Sequence, residues 1–143
     1  MRNFGKKIIL WIPAFIWMLF IFYLSSKTRL KVSDEFSLNF IFFKTLHVIE
    51  YCFLALTYFF AIQNSHKSAP NNNGKSSFWL AAFLTLVYAA TDEWHQDFVP
   101  TREGTPRDIV IDAIGVLAAY RISNSSLFQR ISDILATTVF KMR

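Results

Sequence analysis

The residues best suited to chemistry in this chain lie between positions 91 and 120, where carboxylates, a histidine, a glutamine and two arginines separate two apolar runs. Carboxylate and imidazole groups can transfer protons or ligate a divalent metal ion, and arginine binds phosphate or carboxylate groups. In a soluble protein such a segment could be an ordinary surface loop. Inside a bilayer, ionisable groups cost so much free energy that they are functional candidates by default.

The polar residues fall on three stripes at helical spacing. The first stripe is Lys44, His47 and Tyr51, the second is Asp92, Glu93 and Gln96, and the third is Asp108 and Asp112, which share a face with Gly115 and Ala119. Because residues three or four positions apart lie on one face of a helix, each stripe is predicted to face a bundle interior or a water-filled cavity. The small residues Gly115 and Ala119 predict close contact with a neighbouring helix.

The composition indicates a membrane protein. The chain has 143 residues, of which 53% are hydrophobic and 17% aromatic, with 16 Phe and only 4 Gly. A soluble domain of this length lacks the interior volume to bury so many large side chains, whereas a bilayer supplies apolar surroundings. The net charge of +5 is carried near the ends of the apolar runs, which indicates lipid headgroups as partners and not nucleic acid. The single cysteine, Cys52, excludes an intramolecular disulfide.

Four apolar runs predict an all-α fold, a four-helix transmembrane bundle with a C-terminal amphipathic interfacial helix. The first two spans are predicted at residues 8–24 and 40–62. The third run, 78–91, reaches the roughly 20 residues that a span needs only if the helix continues through the polar positions to about Phe98.

The fourth span is predicted to run from Pro106 to about Leu127. Thr105 is the expected N-cap, Pro106 suits the first helical position, and Asp108 completes a Thr-x-x-Asp capping pattern. The domain division is predicted at residues 1–123 for the transmembrane domain, although the fourth span could extend a few residues further. Residues 124–143 form a tail whose apolar positions recur at helical spacing, as in a helix lying on the membrane surface.

Basic residues predict the orientation. With four spans, both termini and the connector at 63–77 lie on one side of the membrane. That side carries nine lysines and arginines, namely Arg2, Lys6, Lys7, Lys67, Lys75, Arg121, Arg130, Lys141 and Arg143, and the opposite side carries five, namely Lys27, Arg29, Lys31, Arg102 and Arg107. The positive-inside rule then predicts a plasma-membrane protein with cytoplasmic N- and C-termini, and all three polar stripes converge on the outer half of the bundle.

The order and spacing of these residues resemble the VanZ-like family of small bacterial membrane proteins. The family pattern is Asp-Glu-x-x-Gln, a short turn with an aromatic residue, Pro and Arg, and then an Asp followed by Asn or Asp before a Gly. Its counterparts here are Asp92-Glu93-Trp94-His95-Gln96, then Phe98, Pro100 and Arg102, then Asp108, Asp112 and Gly115, preceded by Ser25-Ser26, Lys44-x-x-His47 and Tyr51. Where the family often has Gly after the Pro, this chain has Thr101.

The resemblance implies a multi-pass protein of the bacterial cell envelope, linked in its best-known members to glycopeptide-antibiotic resistance, notably against teicoplanin. It implies no settled reaction. The predicted catalytic candidates are Glu93 and His47, and the predicted ligand-binding residues are Lys44, Tyr51, Asp92, Gln96, Arg102, Asp108 and Asp112.

Several kinds of chemistry are open to this set of residues. His47, His95 and the acids could ligate a divalent metal, but no spacing such as His-Glu-x-x-His is present, so the sequence predicts no metal site and no cofactor. The same groups could act in general acid–base catalysis. Alternatively, they could form a charge-paired network that fixes helix packing, in which Lys44 pairs with Glu50 or Asp112.

An anion site and a nucleophile are further alternatives. Arg102, Arg107 and the N-terminus of the fourth helix could bind phosphate or carboxylate, or could simply contact lipid headgroups. Ser25 and Ser26 could be nucleophiles, although the sequence assigns them no base.

Three classes of function follow. The first is a protein that binds membrane lipid, or a lipid-linked cell-wall precursor, in an outward-facing polar pocket. The second is an intramembrane enzyme acting on such a group, with Glu93 or His47 as base and Arg102 as anion clamp. The third, a small transporter, is disfavoured because the polar residues stop halfway across the membrane.

Overall fold

The computed structural model describes residues 2–28, 36–65 and 74–141, which form five α-helices and contain no strand. The helices are α1 (Arg2–Ser25), α2 (Phe36–Ser65), α3 (Gly74–Gln96), α4 (Pro106–Ser123) and α5 (Ser126–Lys141). The predicted all-α class is therefore confirmed, and α3 does continue through its polar residues. The basic residues Arg29, Lys31, Lys67 and Arg143, which contributed to the predicted charge asymmetry, lie outside the described residues.

The fourth helix is shorter than predicted, because it ends at Ser123 and not near Leu127. The side chains of Asn124 and Ser125 each donate a hydrogen bond of 2.7 Å to a carbonyl group of the last turn of α4. These bonds satisfy carbonyls that a continuing helix would bond through its own N–H groups. Ser125 Oγ also accepts a hydrogen bond from the N–H of Phe128 and thereby caps α5. The stretch predicted as one span is thus divided into two helices.

The predicted capping box at the start of α4 is wrong, although the helix does begin at Pro106. Thr105 has the extended backbone of an N-cap residue (φ −130°, ψ 136°), but its side chain makes no capping hydrogen bond. Its backbone N–H donates to Glu93 instead, and the carboxylate of Asp108 turns towards Lys44. Contacts with α3 and α2 therefore replace the local contacts that the sequence pattern indicated.

The central helix of the bundle is α2, which packs against α1, α3 and α4. A Cβ atom on Gly115 would overlap the carbonyl oxygen of Val48 and lie 2.9 Å from the backbone nitrogen of Cys52, so α4 rests directly on the α2 backbone. Ala119 is fully buried in the same core. The predicted contact of α4 with a neighbouring helix is confirmed at Gly115.

Two aromatic side chains attach α1 to this core. The indole N–H of Trp17 donates to the carbonyl of Glu50 on α2 at 2.8 Å, and the hydroxyl of Tyr88 on α3 donates to the carbonyl of Met18 at 2.7 Å. These bonds fix the position of α1 relative to α2 and α3, and they fix the C-terminal end of α1 beside the polar part of α3.

Large apolar side chains cover much of the outer surface of the helices, while several charged and polar side chains are buried. Two segments, Gly5–Ser25 and Ser37–Ser65, are long and apolar enough to cross a bilayer by length and composition. The polar residues of α3 and α4 keep those helices from meeting the same criterion, yet their outer faces are apolar too. Trp79, Phe83, Val110 and Leu117 are 62–67% exposed. This surface indicates association with a membrane.

The tail forms the predicted helix, and α5 lies across the end of the bundle where α1 begins and α2 ends. Lys6 Nζ donates to the carbonyl of Phe140 at 2.6 Å, and Asn64 Nδ2 donates to Ser132 Oγ at 3.0 Å. Ser132 is buried in this contact, whereas Leu127, Ile131, Ile134 and Leu135 are exposed. The helix is therefore amphipathic, and its position on a membrane surface stays a prediction.

Candidate functional site

Three helices bring a histidine and two carboxylates together inside the bundle. His47 on α2, Glu93 on α3 and Asp112 on α4 each place one nitrogen or oxygen atom within 4.8 Å of the other two. All three residues are buried. We name His47, Glu93 and Asp112 the inner cluster. A set of imidazole and carboxylate groups at this separation can exchange protons or ligate a cation.

Within the inner cluster, His47 and Asp112 connect α2 to α4. Nδ1 of the imidazole lies 3.1 Å from Oδ1 of the carboxylate, and Asp112 has no exposed surface. The close approach of the two helices at Gly115 makes this contact possible. The other oxygen, Asp112 Oδ2, is buried and has no hydrogen-bond partner among the described residues. An unsatisfied buried carboxylate oxygen is costly, so Asp112 Oδ2 marks a place for a further donor or cation.

The loop after α3 holds Glu93 in place. The backbone N–H of Thr105 donates to Glu93 Oε2 at 2.8 Å, and the N–H of Gly104 donates to Asp97 Oδ1 at 2.8 Å. Gly104 packs so tightly that a Cβ atom there would overlap the carbonyl of Glu93. Glu93 Oε1 remains buried and without a hydrogen-bond partner in the described part of the chain. The loop therefore fixes one oxygen of Glu93 and leaves the other towards the bundle interior.

The neighbouring acid, Asp92, is the meeting point of three helices. Its Oδ2 accepts hydrogen bonds from Ser25 Oγ at 2.9 Å, from the hydroxyl of Tyr51 at 3.1 Å and from Gln96 Nε2 at 3.0 Å. Asp92, Tyr51 and Gln96 were all predicted as ligand-binding residues, and the structure brings them into direct contact. Three donors on one oxygen stabilise a buried carboxylate, so this set holds α1, α2 and α3 in register.

Lys44 forms an ion pair with Asp108, with 2.5 Å between Nζ and Oδ1. Both side chains are nearly buried. Among the described residues, Lys44 pairs with neither Glu50 nor Asp112, which were the partners expected from sequence. Asp108 lies one turn before Asp112, so the lysine neutralises the first acid of α4 and leaves the second to His47.

Arg102 connects the loop after α3 to the end of α1. Its Nε donates to the carbonyl of Lys27 and its Nη2 to the carbonyl of Leu24, both at 2.9 Å. Carbonyls at a helix C-terminus lack partners within the helix, and a guanidinium group there also interacts favourably with the helix dipole. The structure thus gives Arg102 a capping role, and the predicted role of anion clamp stays a prediction.

A cavity of about 260 Å³ lies beside Asp92, between the ends of α1 and α3. It is lined by Phe22, Tyr88, Thr91, Asp92, Trp94, His95 and Phe98. The ring of His95 stacks on Phe22 with centroids 4.6 Å apart, and His95 Nε2 lies 3.1 Å from Ser26 Oγ. The cavity therefore has mostly aromatic walls with a polar edge formed by a histidine, a threonine and a carboxylate.

Sequence reasoning assigned no role to the aromatic walls of this cavity. Trp94 and Phe98 are four residues apart and both strongly exposed, so their spacing could have suggested a shared face. The inner cluster left no local signal beyond the three stripes, because its members come from three different helices. Ser25 donates a hydrogen bond to Asp92, and Ser26 Oγ lies 3.1 Å from His95 Nε2, so the role of either serine as a nucleophile stays a prediction.

Comparison with known proteins places the chain in a family. The sequence model of the VanZ/LLP1 family matches residues 9–129. This match includes the inner cluster, the residues bonded to Asp92 and the cavity lining. No curated protein and no solved structure matches the chain.

Proposed function

Since the chain belongs to the VanZ/LLP1 family, we propose that it is a multi-pass membrane protein that binds a membrane lipid, or a lipid-linked group of the cell envelope, in the cavity beside Asp92. These ligands share one chemistry, an apolar chain joined to a polar headgroup. The composition of the cavity walls is the observation that carries the proposal.

The cavity offers separate surroundings for the two parts of such a ligand. The rings of Phe22, Tyr88 and Trp94 suit an acyl or prenyl chain, whereas the side chains of Thr91 and His95 can hydrogen-bond to a headgroup. The volume of about 260 Å³ is just below the range of roughly 300–1,000 Å³ that is usual for small-molecule sites. It therefore suits a headgroup and the first part of a chain, with the remainder lying along the apolar outer surface.

The distribution of side chains supports four membrane-crossing helices. The outer faces of α3 and α4 carry exposed Trp79, Phe83, Val110 and Leu117, while their acids face inward and are buried. In water such an arrangement would expose apolar surface without compensation, but in a bilayer it places each group in a suitable medium. The 18 residues of α4 extend roughly 27 Å at 1.5 Å per residue, close to the thickness of the hydrocarbon core.

The contact between the two ends of the chain supports the proposed topology. Lys6 near the start of α1 donates to the carbonyl of Phe140 at the end of α5, so both ends lie at the same end of the bundle. An even number of spans requires this arrangement. The excess of lysine and arginine on that side then favours a plasma-membrane protein with both termini in the cytoplasm.

A second candidate function is an intramembrane enzyme acting on the same class of ligand. The observation that favours it is the bare oxygen Glu93 Oε1, because a buried carboxylate atom without a donor is available to accept a proton from a reacting group. His47 lies within reach in the same cluster. An effect on glycopeptide susceptibility would follow from either function if the ligand is a cell-wall precursor.

The binding proposal can be tested by photo-crosslinking of the protein in lipid nanodiscs. Two probes are used, a photoactivatable phosphatidylglycerol and a photoactivatable polyprenyl phosphate, which separate an ordinary membrane lipid from a lipid carrier of wall precursors. We expect one of them to label the peptide containing residues 88–98 in preference to the other helices. Trp94→Ala should reduce this labelling several-fold, because it removes one wall of the cavity.

Trp79→Ala is the matched control. Trp79 and Trp94 lie on the same helix and are 67% and 68% exposed, but only Trp94 lines the cavity. Labelling that is spread over all the apolar faces, or that falls equally in the two variants, would mean that the lipid only surrounds the protein and would overturn the proposal.

A further inference from the structure

The carboxylates buried in this bundle are compensated unequally. Asp108 is paired with Lys44, and Asp92 receives three hydrogen bonds on one oxygen. Glu93 receives one hydrogen bond, from the backbone N–H of Thr105, and Asp112 contacts one imidazole. Asp92 Oδ1, Glu93 Oε1 and Asp112 Oδ2 are each buried with no donor among the described residues, and of these three acids Glu93 and Asp112 share the inner cluster with His47. Two such oxygens beside one histidine are expensive to hold in an apolar interior unless a positive charge joins them.

We infer that His47, Glu93 and Asp112 form a three-ligand site for one divalent transition-metal ion, of the Zn²⁺ or Mn²⁺ class. This inference goes beyond the proposed lipid binding, and the inner cluster shares no residue with the cavity lining. Two observations support this site. The first is the proximity of the three ligand atoms. The second is that Glu93 Oε1 and Asp112 Oδ2 lack a hydrogen-bond donor among the described residues, although both residues are more than nine-tenths buried.

The separations in the cluster suit shared coordination of one ion. The three ligand atoms lie within 4.8 Å of one another. Ligand atoms bound to one Zn²⁺ at about 2.0–2.2 Å lie roughly 3–3.5 Å apart, and His47 Nδ1 and Asp112 Oδ1 already lie 3.1 Å apart. Small side-chain movements within the inner cluster would bring all three ligand atoms to this spacing. Three protein ligands also leave a coordination position for water or for a ligand group.

The donor atoms select among cations. An imidazole nitrogen favours zinc or iron over magnesium and calcium, and the two carboxylates also suit manganese. Two carboxylates and one imidazole together match the +2 charge of such an ion and leave the occupied cluster neutral when the imidazole is neutral. A metal ion thereby removes the uncompensated charge that the protein groups alone create.

The surrounding contacts hold the ligands in place. Glu93 Oε2 is fixed by Thr105, and α4 is held against α2 at Gly115, which sets the position of Asp112 relative to His47. Metal sites depend on such supporting contacts for ligand orientation. The ligands here come from three rigid helices, so little reorganisation is needed on binding.

The test is a measurement of metal content and affinity for the full chain, purified without a histidine tag and dialysed against chelator. Zn²⁺, Mn²⁺ and Mg²⁺ are added separately as probes, and bound metal is measured by equilibrium dialysis with elemental mass spectrometry. We expect one equivalent of Zn²⁺ or Mn²⁺ per chain and weaker binding of Mg²⁺. His47→Gln and Asp112→Asn should each weaken binding by more than about 100-fold, since loss of outer-shell partners alone costs about 10–100-fold.

Glu103→Gln serves as the control, because Glu103 is an exposed acid in the loop after α3 and lies outside the inner cluster. Its metal affinity should match that of the parent chain. Absence of stoichiometric metal in the parent, or equal affinity in all variants, would overturn the site. If the His47 and Asp112 variants fail to fold, pulsed electron paramagnetic resonance of the Mn²⁺-loaded parent decides, since coupling to an imidazole nitrogen supports the inference and its absence refutes it.

Discussion

Gly115 on α4 lies so close to Val48 on α2 that a Cβ atom on the glycine would overlap the Val48 carbonyl oxygen. The obstacle is backbone, which cannot rotate away as a flexible side chain can. The contact lies one turn after Asp112 and one residue after His47 along the two helices, so it controls the separation of those two groups.

Gly115→Leu should therefore destabilise the bundle by about 3 kcal/mol or more, because overpacking against an immobile backbone forces the helices apart. The free energy of unfolding in SDS, followed by circular dichroism, measures the effect. Ile114→Leu is the control, since Ile114 is 53% exposed and its change should cost less than about 0.5 kcal/mol. Equal stability of the two variants would contradict the close packing of α4 on α2.

Replacing Thr101 by glycine should stabilise the protein. It is the one non-glycine residue with a positive φ, 70°, in the described chain. A side chain in this left-handed region costs roughly 1–2 kcal/mol, and a β-branched residue is especially unfavourable there. Thr101→Gly is expected to raise the free energy of unfolding by about 1 kcal/mol and to increase the melting temperature.

Thr101→Ala separates this effect from loss of the threonine side chain. Alanine still carries a Cβ atom, so it should gain clearly less than glycine. A larger gain for alanine than for glycine would show that backbone strain at Thr101 is not the cause.

Arg102→Lys should destabilise the protein by about 1–3 kcal/mol. The guanidinium donates to two carbonyls at once, at Leu24 and Lys27, and a lysine cannot reproduce this forked geometry. Differential scanning fluorimetry in detergent measures the loss. Arg107→Lys is the control, because Arg107 is exposed and keeps a cation over the ring of Phe40 after the change. Unchanged stability combined with lost ligand binding would instead support the anion-clamp role.

If the protein acts as the intramembrane enzyme, Glu93→Gln should preserve the fold and abolish the activity, because Glu93 is the candidate base and does not line the lipid cavity. The amide oxygen of glutamine can still accept the hydrogen bond from Thr105, but the side chain no longer carries a negative charge. If the parent chain alters glycopeptide susceptibility, this variant should lose that effect at normal expression. Glu103→Gln, in the exposed part of the same loop, should retain it. A folded Glu93→Gln protein with full effect would remove Glu93 from the site.

The number and type of helices follow from the sequence because apolar runs and breakers dominate their formation. The inward direction of Asp92, Glu93 and Asp112 was also predictable, since no other direction avoids exposing them to hydrocarbon. The partner of Lys44 was not predictable. Glu50 lies on the same helix as Lys44, and Asp108 and Asp112 lie one turn apart on α4. Only the axial offset between α2 and α4 selects Asp108.

The contacts of Thr105 also depended on tertiary structure, whereas the end of α4 is set by local hydrogen bonds from Asn124 and Ser125. The pattern Thr-x-x-Asp is equally compatible with a local cap and with the contacts to Glu93 and Lys44 that the structure has. The cavity depends on how the ends of α1 and α3 meet, which one-dimensional spacing does not specify. Local sequence patterns thus predict the helices. The relative positions of the helices, which form the site, depend on tertiary packing.

The hydrogen bond from Lys6 to the carbonyl of Phe140 joins positions that are 134 residues apart. Translation delivers Lys6 well before Phe140. The junction of α1 with α5 therefore cannot form until α5 has been synthesised, whereas α1 to α4 can associate earlier. Synthesis thus separates in time two helices, α1 and α5, that lie side by side in the folded protein.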